Sequence, residues 1–520
     1  MKIVSKEIAK LETEEIQEIL KTTSQTIQDM YKDPKISLPE MEEALRFSDI
    51  LIQAGRLELS IRLFDGIIDG SLGFIAKEHT VGEYAEFLCH LKDALESYKD
   101  IIYRRKEGLV SFFLLSLESL IIELNNKINN MAIVKSLLDT DLYKFSMSYF
   151  YMRQFPYAEG SFEFKDRNNE VYNEEFLEML KMELVSLGNL KLTEEEKKWC
   201  IKNIYYIPEH FWEWLSSYRF NLSELHVELD DEGHLKIWTD VSSLKKITFW
   251  EVPVLAIVSQ VRARFRGYTC NRADFMEKLE SKISLSNTNQ LKFSEFGTRR
   301  RFSADLQEDI VRVCKERAQY FMGTSNVYLA MKYNVNFCGT LAHELCMFIA
   351  SQYGYKHPNY ILMEKWADTY KGDLGIYLTD TYKTNTFLRD LTKAQAKLWD
   401  GVRHDSGDPY QFIVKITKKY KELGIDPKSK TIIFSNALTM SEFADIAEAC
   451  KGRIKCAAGI GTSLVSTDTG NPPANIVMKL KNARLAPGMD LENCIKVSDD
   501  EGKLTGSQEE FNLARQILKI

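Results

Sequence analysis

Asn334-Val335-Asn336-Phe337-Cys338-Gly339-Thr340-Leu341-Ala342-His343-Glu344 is the stretch on which the reading of the fold turns. Val335 and Phe337 alternate with polar neighbours, as in a short buried strand. The pattern breaks at Gly339-Thr340 and resumes as a helix that carries His343. A strand that ends in Gly-Thr before a helix is a βα unit, and its helix start offers free backbone N–H groups to an anion. His343, read as one turn inside that helix, would stand beside the anion. The stretch therefore predicts an α/β fold and points to phosphate chemistry.

The same rhythm extends on both sides. From about residue 290, short apolar runs end in Gly, Thr, Ser or Asp, and each is followed by a helical segment. They are Leu291–Phe296, Asn334–Cys338, Gly375–Thr379, Gly401–Arg403, Thr431–Phe434, Ile454–Ala458 and Ile476–Leu480. About seven such units predict a parallel barrel over 291–520 rather than an open sheet. Upstream, 131–290 reads as an α+β domain. Leu225–Leu229 and Leu235–Trp238 alternate around Asp231-Glu232-Gly233 as a hairpin, and Trp250–Arg264 is apolar and helical after Pro253. Residues 1–130 read as a helical appendage of unknown role. Ser37-Leu38-Pro39-Glu40 and Thr80-Val81-Gly82-Glu83 are capping boxes there, and the polar run Asn125–Asn130 is a linker. Met131 is a candidate start of an independently folding unit.

Bulk properties narrow the function. A chain of 520 residues is too long for one ordinary core. The charge balance of 68 − 75 = −7 argues against broad nucleic-acid binding, though not against a small anion in a local basic pocket. Nine cysteines without a C-x-x-C pair speak against zinc and disulfides and for a reducing compartment. No signal peptide is visible, and the apolar run Gly108–Leu124 is short for a membrane span and interrupted by Glu118. A cytoplasmic enzyme away from membranes is expected.

In a βα barrel the working residues sit where strands end. The ends here are Glu295–Arg301, Gly339–His343, Thr379–Tyr382, Arg403–Asp408, Ser435-Asn436 and Gly459–Ser463. Singly, most have a plain reading. Arg299–Arg301 can be a solvated helix start, Gly459-Ile460-Gly461-Thr462 a turn, His343 an interior histidine, and Asp380 or Asp405 an N-cap. Arg403-His404-Asp405-Ser406-Gly407-Asp408 resists such a reading, because a packed loop has little use for so many charges beside small residues. Together the six ends suit a phosphorylated sugar with a leaving diphosphate. Arginines and glycine-rich N–H groups hold phosphates, while Asp380 and Asp405 hold ribose hydroxyls or waters around Mg²⁺. Phe296 can stack on a flat ring, and Arg403 can pair with a carboxylate.

Six segments in order, Ser136–Lys144, Phe296–Arg300, Gly323–Asn326, Gly339–Glu344, Gly401–Pro409 and Gly459–Thr462, resemble those of nicotinate phosphoribosyltransferases. The resemblance spans about 131 to 510 and leaves 1–130 unexplained. It implies an irregular (β/α) barrel of the type II phosphoribosyltransferase kind, preceded by an α+β domain that contributes to an active site shared across a homodimer. It implies that nicotinate and 5-phosphoribosyl 1-diphosphate give nicotinate mononucleotide and diphosphate for NAD biosynthesis, with Mg²⁺ and with ATP as co-substrate. His343 matches the residue transiently phosphorylated by ATP. Tyr143, from the partner subunit, and Phe296 match the faces around the pyridine ring, and Thr340 and Arg403 match the nicotinate site. Gly461 and Thr462 match the sugar-phosphate site, with Arg299, Asp380 and Asp405 around it and Lys479 and Lys503 in reach of phosphates. Glu344, next to His343, points elsewhere, and the partner orienting His343 is not legible. Two rival readings are a nicotinamide phosphoribosyltransferase of the same fold and a non-catalytic sugar-diphosphate sensor.

Overall fold

The computed structural model describes residues 132–500 and 506–520. The N-terminal capping boxes, the Asn125–Asn130 linker, the Gly108–Leu124 run and Lys503 lie outside the described residues. Residues 132–520 form one compact unit.

Two sheets build it. The first is antiparallel. It contains β1 (Glu159–Asp166), β2 (Leu225–Leu229), β3 (Leu235–Thr239), β4 (Ser242–Ser243), β11 (Ile476–Arg484) and β12 (Glu492–Asn493). Its order is β12-β11-β1-β3-β2, with β4 also against β1. The expected hairpin is β2–β3, in register from Leu225 opposite Thr239 to Leu229 opposite Leu235. The second sheet is parallel, with β5 (Phe293–Glu295), β6 (Phe321–Thr324), β7 (Ile376–Leu378), β8 (Gly401–His404), β9 (Thr431–Phe434) and β10 (Lys455–Ile460) in the order β6-β5-β10-β9-β8-β7. Most of its strands are short, largely buried apolar runs, as parallel strands covered on both faces require.

The irregular barrel is present, and its irregularity lies in the stretch that opened the reading. Asn334–Cys338 is not a full strand. Asn334 ends the preceding helix Val327–Tyr333 in a left-handed conformation. The chain then runs extended between the two sheet edges. Phe337 makes one parallel bridge to Thr324 of β6, and Thr340 Oγ1 donates to the Ile376 carbonyl of β7 at 2.7 Å. This segment closes the wall where a regular strand would stand. The helix that follows begins at His343 itself, with Ala342 as its cap, rather than at Gly339-Thr340.

Two strand assignments change. Ile476–Leu480 does not join the barrel but belongs to β11, antiparallel to β1 along its length. The segment before it holds a four-residue helix (Thr462–Val465), a 3₁₀ turn and Pro472-Pro473, too little helix for a crossover back into a parallel sheet. The barrel instead takes β6, whose Phe-Met-Gly-Thr carries little strand signal. Gly323 there has φ +124°, and a Cβ on it would lie 1.9 Å from the Asn336 carbonyl oxygen.

Three helices position the site. They are α1 (Leu142–Gln154), α2 (Glu251–Phe265) and α3 (His343–Tyr353), and most of their residues are buried. A single apolar core runs from α1 and α2 through the barrel wall to β11. Among the described residues no helix is long and apolar enough to cross a membrane, and all eight cysteines are free.

Candidate active site

One cleft opens at the carboxyl ends of the parallel strands, roofed by the antiparallel sheet. Phe296, Gly297, Arg299 and Arg300 enter it from the turn after β5. Arg403 and Asp405 enter from β8, Ser435 to Ala437 from β9, and Gly459, Gly461 and Thr462 from β10. Val477 and Lys479 come from β11, Arg167 from the end of β1, and Tyr143 and His343 from the starts of α1 and α3. Six of the lining side chains are cations and one is a carboxylate, so the cleft attracts anions.

Strand alternation explains the β8 contribution. Arg403 and Asp405 face the cleft, while His404 between them is buried against Phe412 and Phe434. Arg403 is fixed on two sides. Its Nε donates to Ser435 Oγ at 2.7 Å and its Nη2 to Asp405 Oδ1 at 3.0 Å. Ser435 Oγ donates to the same Asp405 oxygen at 2.7 Å. The guanidinium lies 5.9 Å from the Phe296 ring centroid. That ring occupies the space of an absent side chain, since a Cβ on Gly459 would fall 2.3 Å from Phe296 Cδ2.

His343 is buried, and four groups surround its ring. Nδ1 is 3.0 Å from Thr381 Oγ1. Nε2 is 2.8 Å from Lys496 Nζ, 3.2 Å from Asp405 Oδ2 and 3.7 Å from Asp380 Oδ1. At Nε2 the two partners make opposite demands, since Lys496 can only donate and an ionised Asp405 can only accept. The shorter Lys496 contact favours the lone pair on Nε2 and the proton on Nδ1, which donates to Thr381. Burial and the Lys496 charge push the imidazole down to about 4, against the pull of Asp380 and Asp405. It is therefore neutral at pH 7, with a nucleophilic Nε2. Burial favours a protonated Asp405, but Arg403, His343 and Lys496 outweigh it and hold that carboxyl well below its ordinary value.

Asp380 lies behind His343 and does not line the cleft. Its Oδ2 accepts from Ser406 Oγ at 2.6 Å and pairs with Lys496 at 3.4 Å, while Oδ1 is buried without a hydrogen bond. Single ligand atoms from His343, Asp380 and Asp405 lie within 4.8 Å of one another, an arrangement that can hold a cation. Two carboxylates, one oxygen of them unsatisfied, suit a hard ion such as Mg²⁺.

The three consecutive arginines divide. Arg299 and Arg300 line the cleft. Arg299 Nη1 donates to Glu251 Oε1 at 3.2 Å, and Arg300 donates to the Ile476 carbonyl. Burial and the charges of Arg299 and Arg167 pull Arg300 down to about 10, as expected where guanidinium groups gather without enough anions. Arg301 is not solvated. It is buried and forks onto both Asp139 oxygens at 2.8 Å, and Asn326 donates to Asp139 at 2.7 Å. The Ser136–Lys144 and Gly323–Asn326 motifs meet in that network.

Thr340 does not line the cleft, because its hydroxyl is engaged by the Ile376 carbonyl and its carbonyl by Ser146 Oγ. Tyr143 lines the cleft of the single chain described. Glu344 turns away from His343, as expected, to pair with Lys144 at 2.9 Å. Arg167, Glu251 and Lys496 escaped the sequence reading, and Thr381 entered it only within the Thr379–Tyr382 strand end, without a role. Of the three that escaped, Lys496 alone left a trace, as the one charge in the apolar run Cys494–Val497.

The comparisons agree with this geometry. The model of the nicotinate phosphoribosyltransferase (NAPRTase) family matches residues 291–519, and that of the NAPRTase N-terminal domain matches 138–259. A nicotinate phosphoribosyltransferase of Chromohalobacter salexigens is 38% identical over 395 residues, 74% of this chain and 98% of its own. One of Desulforapulum autotrophicum is 37% identical over 390 residues, 74% of this chain and 99% of its own. The crystal structure of nicotinate phosphoribosyltransferase from Porphyromonas gingivalis superposes with a TM-score of 0.73 at 42% identity, covering 74% of this chain and all of that one. The Vibrio cholerae structure gives a TM-score of 0.70 at 28% identity, covering 75% and 94%. By sequence and fold, this chain belongs to the nicotinate phosphoribosyltransferase family.

Proposed function

We propose that the protein joins nicotinate to 5-phosphoribosyl 1-diphosphate, releasing nicotinate mononucleotide and diphosphate, and that ATP hydrolysis is coupled to this through a phosphohistidine at His343. The observation that carries the proposal is the surplus of cations in the cleft, set beside a neutral imidazole. Arg167, Arg299, Arg300 and Lys479 match the charge of a sugar phosphate and its diphosphate. Arg403, pre-set by Ser435 and Asp405, matches the nicotinate carboxylate, and Phe296 offers a face to the pyridine ring. The carboxylate-seeking Arg403 favours the acid over the amide.

In the glycosyl step the bond from ribose C1 to the diphosphate oxygen breaks and the pyridine nitrogen bonds to C1. Fixed cations stabilise the departing charge without reorganisation, and the buried walls exclude water. Asp380 and Asp405 are the residues that would hold Mg²⁺, which when bound neutralises part of the leaving diphosphate. In the coupled step the His343 Nε2 lone pair attacks the γ-phosphorus of ATP and ADP departs. The proton stays on Nδ1, held by Thr381. The positive charge that develops on the ring is met by Asp405 and Asp380, and Lys496 Nζ is released to the phosphoryl oxygens. Water then hydrolyses the phosphohistidine. Family membership supports a role in NAD biosynthesis, and the proposal includes a cytoplasmic homodimer.

Mass detection of nicotinate mononucleotide, with and without ATP, tests the reading. Wild type forms product and gains from ATP. His343→Ala keeps a slow ATP-independent reaction and loses the gain. An unchanged ATP gain in that variant refutes the histidine role, and product from nicotinamide in preference to nicotinate refutes the substrate.

A further inference from the structure

Glu251 is a buried carboxylate that the reaction above does not use. It heads α2, where the helix dipole favours a negative charge, and it stands behind the cleft wall rather than in it. Four groups converge on it. Lys144 Nζ of α1 is at 2.7 Å, Arg299 Nη1 of the turn after β5 at 3.2 Å, Tyr143 Oη at 3.5 Å and Lys479 Nζ of β11 at 3.9 Å. Glu251 is thus the point where a cation from the barrel mouth and one from the roofing sheet are tied together. Burial opposes its charge, but Lys144, Lys479 and Arg299 outweigh burial and pull it down to about 2, so it is ionised throughout the working range.

We propose that Glu251 is a positioning residue that keeps Arg299 and Lys479 aimed at the diphosphate of the sugar substrate. The proposal rests on the reading of the cleft as a sugar-diphosphate site. Its physical core is Lys479, which is half-buried among like charges. Burial, Arg299, Lys496 and Lys144 all disfavour its ammonium, and together they bring it down to about 8; Glu251 is the neighbour that opposes them. The ammonium is present below that value and lost above it. Inorganic diphosphate only gains negative charge as pH rises, which favours binding to cations, so a fall in its affinity in the alkaline range reports the lysine. Removing the Glu251 charge moves that fall to lower pH, because the group that favours the ammonium is gone.

The test uses the full chain. Inorganic diphosphate is titrated calorimetrically from neutral to alkaline pH, and KM for 5-phosphoribosyl 1-diphosphate is measured in parallel. Wild type should lose affinity above about pH 8. Glu251→Gln should bind roughly tenfold more weakly at neutral pH, through loss of a charge-assisted contact, and its loss should begin at lower pH. KM should rise more than kcat falls. Lys479→Arg, whose guanidinium stays charged, should show no alkaline loss. A folded Glu251→Gln protein with wild-type affinity and pH onset overturns the proposal, as does alkaline loss that persists in Lys479→Arg. The second variant decides alone if the first does not fold. Diphosphate binding that behaves as described in a protein without turnover would reject the proposed reaction and leave this role of Glu251 standing.

Discussion

Substituting Gly459 by alanine probes the ring site through a contact that no ligand is needed to see. The added Cβ would fall 2.3 Å from Phe296 Cδ2 and 2.4 Å from Cε2. Carbon atoms prefer about 3.5 Å or more, so the overlap exceeds roughly 1 Å. The strand cannot yield, because β10 is bonded to β5 on one side and β9 on the other, and Phe296 N donates to the Ile460 carbonyl at 2.8 Å. The ring must therefore leave its place, costing about 1–3 kcal/mol of stability as an overpacked site. Its loss removes a stacking face worth about 0.5–1.5 kcal/mol and the Arg403 cation–π contact, worth about 0.5–2 kcal/mol. At about 1.4 kcal/mol per tenfold, KM for nicotinate should rise about 5- to 300-fold. Steady-state assays with nicotinate varied at saturating sugar diphosphate, together with urea unfolding, measure both. Phe296→Ala and the Gly459→Ala/Phe296→Ala pair complete a cycle in which the double variant should match Phe296→Ala alone. A folded Gly459→Ala protein with an unchanged KM for nicotinate refutes the reasoning, and so do additive losses in the double variant.

Two further predictions follow from the same geometry. Arg403→Lys cannot keep both the Ser435 and Asp405 bonds while facing a carboxylate. It should raise KM for nicotinate roughly tenfold or more and leave that for nicotinamide nearly unchanged, read by competition between the two bases. Asp139→Ala leaves the buried Arg301 guanidinium without its fork partner. It should lower stability by about 3–5 kcal/mol in urea unfolding, a far larger loss than an exposed carboxylate would cause.

The sequence by itself determined the class of the fold and most of the strand ends, because these are local. Apolar runs of three to six residues punctuated by Gly, Thr, Ser or Asp mark buried parallel strands, and β5, β7, β8, β9 and β10 were legible in that way. So were the β2–β3 hairpin, the helix that became α2, and the places of Arg299, Phe296, Arg403, Asp405, Gly461 and His343 at the cleft. Tertiary structure decided whatever depends on which distant segment arrives alongside. β11 has the letters of a barrel strand, and only its pairing with β1 assigns it to the roof. Thr340 stands in a ligand-like motif, yet its hydroxyl is taken by a carbonyl thirty-six residues away. Thr381 and Lys496 orient His343 from separate parts of the chain, and Glu251 collects cations from three elements. Periodicity records which way a side chain faces along its own element. The charge that meets it there, and hence its protonation, is set by contacts that no local pattern encodes.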